Sequence, residues 1–569
     1  MRRLLWLLAT LVLAWPASGQ AKLDLKLDLE GYYRARWVHV GNVFDTEVLP
    51  NTLCLPGNPC VNVTPQKTTD YLFHRVRVVP KLSLGDVASL YVQVDALNNT
   101  LWGDNDLATS SSPVFATGTS NTNILGERIG SVEVPRAWLE LKVPVGQLRV
   151  GRMPSQWGLG LLANDGNGFR NEFDDATGGS TADRILFATK PIQIIQALRG
   201  DRTYKSNFVF AVGYDKIVEE PCEVRTGPIA NCTLLSPEEL WNKYQGTPAA
   251  PGDRPIGSQG FLARPKNDVD QAVLVLLYNA ERIKLVRPDD QLVAGTYIVL
   301  RKQHRSFTKD PQDGDTSNRD ENGNPVDSGS FVQIYDFYVK ARVTRAYAEG
   351  EVLAIIGDTT GGVPLPPNSK KRVRLHGGVG RAGYVSPTLD AIMEAGWASG
   401  TSDLEAERFT QRPLHPDYGV GLVLYRQVLR ERSYQVYSPF NARGFSSQGG
   451  VIDSTYIFPR VRFRPPMAKL KGLELIVGVL AAWADKQDDR LFGATFPDGR
   501  KRGKYLGTEI DAALRYSFYE DHIRFTFEGG YLWFGEQLRG VDPDTGYPYV
   551  GDYRARGSWT LQSRIAYVF

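Results

Sequence analysis

From Lys22 the chain alternates strictly with period two. Lys22, Asp24, Lys26, Asp28, Glu30, Arg34 and Arg36 fall on one side, and Leu23, Leu25, Leu27, Leu29, Tyr33, Ala35 and Trp37 on the other. Successive side chains of a strand point to opposite faces, so one face of this segment is charged and the other lipophilic. Strands of soluble sheets run to about five or six residues, whereas a tilted strand crossing a bilayer needs about 9–11. This segment is long enough to cross. The pattern recurs: Arg75, Arg77 and Lys81 alternate with Val76, Val78 and Leu82; Trp138, Glu140 and Lys142 with Leu139, Leu141 and Val143; Glu509, Asp511 and Arg515 with Ile510, Ala512 and Leu514. A buried helix would show period 3.6, which these segments lack. Lipid-facing apolar and lumen-facing polar residues in alternation are the mark of an all-β transmembrane barrel.

Connections alternate in length as well. Short turns such as Gly85-Asp86, Pro144-Val145-Gly146 and Glu520-Asp521 contrast with long polar stretches at 41–70, 98–130, 217–266, 304–328, 400–450, 485–503 and 535–556. Antiparallel membrane barrels have short periplasmic turns and long extracellular loops. Counting from Lys22 predicts about 18 strands, within 16–20. Tyr71–Pro80 (YLFHRVRVVP) is echoed by Tyr456–Pro465 (YIFPRVRFRP), each ending on a proline ahead of a short turn. The chain closes on Thr560–Phe569, with Tyr567 two residues before an aromatic end. That ending looks like the terminal signal read by the barrel-assembly machinery, an expected partner alongside outer-membrane lipid. Trp37, Trp138, Trp483, Trp533 and Trp559 are candidates for interfacial girdles.

Met1-Arg2-Arg3, the apolar run Leu4–Trp15 and the small residues up to Ala21 have the layout of a secretory signal, expected over 1–21. With 11% aromatics, 56 Gly and only 4 Met, composition favours strands and turns over helices. No Pro/Ser linker divides 22–569, so one barrel domain is expected there. A plugged transporter would need a globular plug ahead of the first strand, and the strand begins directly after the expected cut. The cysteines form two close pairs, Cys54 with Cys60 and Cys222 with Cys232, in polar Pro- and Gly-rich segments. In an exported chain such pairs predict small disulfide loops on the cell exterior. No His lies near either pair, so no metal is expected there.

The segment Gly151–Gly168 (GRMPSQWGLGLLANDGNG), continuing through Asp175, is the richest in glycine and acid. As the third long connection it is expected to fold into the lumen and narrow it, with Asp165, Asn167, Glu172, Asp174 and Asp175 at the constriction. A mobile acidic surface loop, or a calcium loop using Asp165 and Asn167, are the competing readings. Gly151-Arg152, Trp157-Gly158-x-Gly160 and Ala163–Gly168, together with His415–Arg426 (HPDYGVGLVLYR), resemble a porin-like family of uncharacterised outer-membrane barrels from deltaproteobacteria, chiefly myxobacteria. These motifs cover about 30 residues, and Gln156 stands where that pattern often has His. The resemblance implies the barrel and the outer membrane of a Gram-negative bacterium. That family has no established substrate, and it transfers no site.

Arg34, Arg36, Arg75, Arg77, Arg136 and Arg149 fall on the polar face of the early strands, and Arg460, Arg462 and Arg464 near the other end. A ring of arginines favours anions; Arg–acid ladders also stiffen barrel walls of any selectivity. An enzyme is not expected, since the chain has no Gly-x-Ser-x-Gly elbow and no His-Glu-x-x-His, and His415-Pro416-Asp417 is its closest approach of imidazole and carboxylate. No cofactor and no nucleic-acid partner is expected. The expected function is passive diffusion of small hydrophilic solutes, leaning toward anions, with Asp165, Glu172, Asp174 and Asp175 facing Arg75, Arg77 and Arg149 across the pore. The alternatives are an adhesin or structural anchor, and then a barrel enzyme.

Overall fold

The structure, a computed structural model, describes residues 24–42, 52–53, 61–62, 68–102, 132–176, 178–217, 269–303, 330–359, 371–401, 408–436, 447–467, 470–487, 491–495, 501–538 and 557–569. The expected signal segment and all four cysteines lie outside them.

Eighteen strands close into one antiparallel barrel. In chain order they are β1 (Leu25–Gly41), β2 (Thr68–Leu84), β3 (Ala88–Leu101), β4 (Glu133–Val143), β5 (Gly146–Pro154), β6 (Thr181–Thr189), β7 (Phe208–Ile217), β8 (Val269–Ile283) and β9 (Asp290–Gln303), followed by β10 (Ser330–Val343), β11 (Ala346–Thr359), β12 (Lys371–Val385), β13 (Leu389–Ala398), β14 (Ser454–Phe463), β15 (Leu473–Ala484), β16 (Tyr505–Phe518), β17 (Ile523–Phe534) and β18 (Gly557–Val568). Each pairs with its sequence neighbours, and β18 returns to β1 from Tyr32↔Val568 to Gly41↔Trp559. At the turn end, Gly31 and Phe569 exchange backbone hydrogen bonds of 2.9 and 3.0 Å. A Cβ at Gly31 would run into the Phe569 ring at 2.8 Å, so the seam closes around a glycine. A two-residue strand, Arg408–Phe409, adds a parallel pairing to β12.

Alternation survives on the outer face. Val212, Phe337, Val352, Ile356, Val477, Leu514 and Phe527 are each 45–56% exposed, an apolar belt that water would not tolerate and hydrocarbon does. Trp37, Trp483, Trp533 and Trp559 sit on that face at the loop end, with Trp533 against Tyr531 at 4.6 Å. Tyr516, Phe518 and Phe525 cluster toward the turn end at centroid distances of 5.7–5.8 Å. Trp138 departs from the girdle expectation. It shares the inward face with Arg136 and Glu140, stacks on Tyr91 at 4.8 Å and donates to Glu140 at 3.3 Å.

The inner face departs further. It is polar around β1–β4 and β18, but around β8–β17 it buries Val273, Val299, Ile334, Leu353, Ile355, Leu480 and Leu532. The cause is a second inward loop. The stretch at 400–450, expected outside the cell, has its described part inside the barrel, where Val420, Leu422, Val423, Leu424, Val428 and Leu429 are fully buried. With Trp157, Leu161 and Phe173 of the 155–180 loop they make the main hydrophobic cluster. A long loop crowded with aliphatic residues buries them wherever a wall is available, and here the wall is the lumen.

Candidate functional site: two inward loops above a basic vestibule

Inward loop A (155–180) joins β5 to β6; inward loop B (399–453) joins β13 to β14. The acidic tip of loop A meets arginines of β1 and β18. Asp175 contacts Arg34 at 3.1 Å, Arg36 at 2.9 Å and Arg564; Asp174 contacts Arg36 at 2.5 Å and Arg426 of loop B at 2.6 Å. Glu172 pairs with Arg462 of β14 at 2.5 Å, and Arg515 of β16 donates to the Asn171 carbonyl at 3.1 Å. Burial would raise the Glu172 carboxyl, but Arg462 and Arg460 outweigh it and bring it down to about 2. Asp174 and Asp175 lie below the ordinary carboxylate range for the same kind of reason, arginine contacts overcoming burial.

The loop acids thus meet Arg34, Arg36, Arg426, Arg462 and Arg564 in direct ion pairs, whereas of the arginines expected to face them Arg77 pairs with Asp95 and Arg149 with Glu140. The other expected residues lie elsewhere. Asp165 is held by Arg170 at 3.0 Å and by the Asn167 backbone N–H at 3.0 Å, with Asn167 itself exposed. Arg77 forms a bidentate pair with Asp95 at 2.7 Å and Arg75 is buried on the same face. Arg136 donates to the Asp165 carbonyl at 2.9 Å and to Thr181 at 3.0 Å. Arg149 does not face the loop; it pairs with Glu140 at 2.9 Å. Arg460 pairs with Glu394 at 2.7 Å.

Loops A and B are bonded to each other. Asp417 accepts the Gly178 and Gly179 backbone N–H groups at 3.2 and 2.6 Å, and Asn171 donates to the Asp417 carbonyl at 3.0 Å. Ser180 Oγ lies 3.0 Å from His415 Nε2, with Asp417 beyond the ring at 3.8 Å. The order Ser–His–Asp invites an acyl-transfer reading, but the bonding runs the other way. His415 Nδ1 accepts the Asp417 backbone N–H at 3.1 Å, so Nε2 carries the proton and donates it to Ser180. A nucleophile's base needs the opposite tautomer. Burial pushes His415 below its ordinary range, partly opposed by Asp417 and aided by Arg412.

Beneath loop A, toward the turn end, a vestibule of about 690 Å³ opens between Phe169–Asn171 and the turns at 387–388, 464–474 and 517–526. Its lining carries Arg170, Arg462, Arg464, Lys471, Arg515, Arg524 and Arg564 against Glu474 and Asp521. Most of these cations are compensated: Arg464 by Asp390 and Glu474 at 2.8 Å, Arg515 by Glu528 at 3.8 Å. Among the described residues Lys471 and Arg524 form no ion pair, and Arg524 lies over the Phe169 ring at 5.4 Å. Among the described residues there is also no cluster of His, Cys, Asp and Glu able to hold a metal. Arg462, Arg464 and Arg515 stood on expected polar faces, whereas the inward course of loop B and the turn residues Lys471 and Arg524 were not read from the sequence, since period two marks strands and not where a connection folds.

No family model matches the chain, and no curated protein matches it. Solved structures similar to it include several proteins of Pseudomonas. OpdK of Pseudomonas aeruginosa, crystallised with vanillate, is 9% identical with a TM-score of 0.43, the match covering 96% of this chain and 98% of that one. OccK2 (OpdF) of the same organism, in complex with glucuronate, is 8% identical with a TM-score of 0.42, covering 95% and 98%. A BenF-like porin from Pseudomonas fluorescens is 8% identical with a TM-score of 0.43, covering 96% and 98%. At these scores the barrel assignment rests on the strand registers of this chain itself.

Proposed function

We propose that the chain is an outer-membrane channel for passive diffusion of small hydrophilic solutes, with a preference for anions set at the turn-side vestibule. The membrane part of this reading is supported by a closed barrel with an apolar outer belt and aromatic rings toward its two ends. The vestibule carries the selectivity part: seven basic side chains against two acidic ones, two of the basic ones without an acidic partner among the described residues. Low-dielectric walls around like charges concentrate counter-ions. Passive passage needs no cofactor.

Reversal potential across a salt gradient, in planar bilayers, tests this. Wild type is expected to prefer anions at 0.1 M salt, where charges act over about 10 Å, and to lose most of that preference at 1 M, where they act over about 3 Å. Lys471→Ala with Arg524→Ala is expected to shift selectivity toward cations. Unchanged selectivity refutes the vestibule assignment, and no conductance at all refutes the channel and favours a structural anchor.

A further inference from the structure

Two buried carboxylates of the inner wall, Glu351 on β11 and Glu509 on β16, form no ion pair among the described residues. Each instead collects three consecutive backbone N–H groups of an inward loop. Glu351 accepts Leu159, Gly160 at 3.1 Å and Leu161 at 3.1 Å from loop A. Glu509 accepts Leu422 at 2.6 Å, Val423 at 2.8 Å and Leu424 at 2.7 Å from loop B. Three converging N–H groups form a concave site for carboxyl oxygens.

In each loop a left-handed glycine directly precedes the three donors, Gly158 before Leu159–Leu161 and Gly421 before Leu422–Leu424, within stretches of similar composition but at different places in them. Trp157-Gly-Leu-Gly-Leu161 and Tyr418-Gly-Val-Gly-Leu422 share an aromatic, two glycines spaced by an aliphatic residue, and a leucine. Gly158 (φ +50°) and Gly421 (φ +66°) are left-handed, the conformation that aims successive N–H groups to one side. A Cβ at Gly158 would strike Glu351 Oε2, and one at Gly421 would come within 2.7 Å of Glu509 Oε1. Each glycine thus faces the carboxylate its own loop binds. The barrel does not need these carboxylates for closure, since the ladders of β11 and β16 run on both sides of them with ordinary backbone pairing.

Resting on the channel reading above, we propose that Glu351 and Glu509 are positioning residues that set the channel's aperture, each holding one loop at fixed depth through its N–H triplet. Because Asp417 and Arg426 of loop B also grip loop A, release of one latch loosens the other.

The test uses the full chain and Glu351→Gln, Glu509→Gln, their double variant, Gly158→Ala and Gly421→Ala. Unitary conductance, and the largest neutral sugar admitted in liposome swelling, are read beside heat-dependent gel mobility, which reports barrel closure. Gln preserves size but sets an NH2 group against the donors. Expected are higher conductance and a larger size limit in each Gln variant, more in the double, with the glycine variants reproducing the effect from the loop side. Closed barrels with wild-type conductance and size limit throughout overturn the proposal; if a Gln variant fails to close, the glycine variants decide. Should wild type not conduct, the channel reading falls by itself, and hydrogen exchange at 157–162 and 418–424 judges the latches. Exchange about tenfold faster in the variants supports them, and unchanged exchange overturns them.

Discussion

Glu172→Gln is the sharpest probe of how loop A is clamped. Its carboxylate meets Arg462 at 2.5 Å, and Arg460 and Arg515 add to the field around it. A carboxyl brought from 4.5 to about 2 is stabilised in its charged form by about 3 kcal/mol. The side chain is only 23% exposed, so solvent screening removes a minor part. Neutralising it leaves Arg462 with Glu474 at 3.7 Å as its remaining acid, and local opening of 169–176 is expected to become roughly 100-fold more frequent. Hydrogen exchange of that peptide in detergent measures this directly. A change under about threefold, with Arg462 still ordered, would refute the clamp, because an opening cost carried by the ion pair cannot survive its loss. The pH dependence has a definite sign. A carboxyl lowered in the folded state contributes fully above the ordinary carboxylate range, and the contribution fades as pH falls from 4.5 through about 2. Acid therefore loosens loop A in wild type, and Glu172→Gln removes that share of the response.

Two further outcomes are expected. Non-reduced peptide mapping should find Cys54–Cys60 and Cys222–Cys232; the described pairs Thr52↔Asn62 and Leu53↔Val61 flank the first of these, and cross-pairing between the two would contradict the loop assignments. Brominated lipid should quench Trp37, Trp483, Trp533 and Trp559, so Trp138→Phe removes unquenched emission and raises the quenched fraction, whereas a fall in that fraction would place Trp138 outside the barrel.

The barrel was legible because lipid and lumen impose one rule on every strand, and Lys22–Trp37 states it within a single segment. Strand number followed from turn chemistry, and loop A announced itself through glycines and acids. Its partners were not legible. Which strand faces the tip of a folded-in loop depends on closure, so Arg36 meets Asp174 while Arg149, on a similar polar face, meets only its cross-strand neighbour Glu140. Loop B was missed because Val420–Leu429 lacks a second period-two partner and reads as connection. Its likeness to Trp157–Leu161 was the available signal, and only the positions of Glu351 and Glu509 give that likeness meaning.

Unitary conductance of the purified chain in a planar bilayer addresses the central claim most directly. The account predicts discrete, stable current steps whose reversal potential favours anions at 0.1 M salt and moves toward zero at 1 M. A folded, heat-modifiable barrel that inserts and passes no current would contradict it, and would leave the inward loops as the packing of a closed structural anchor.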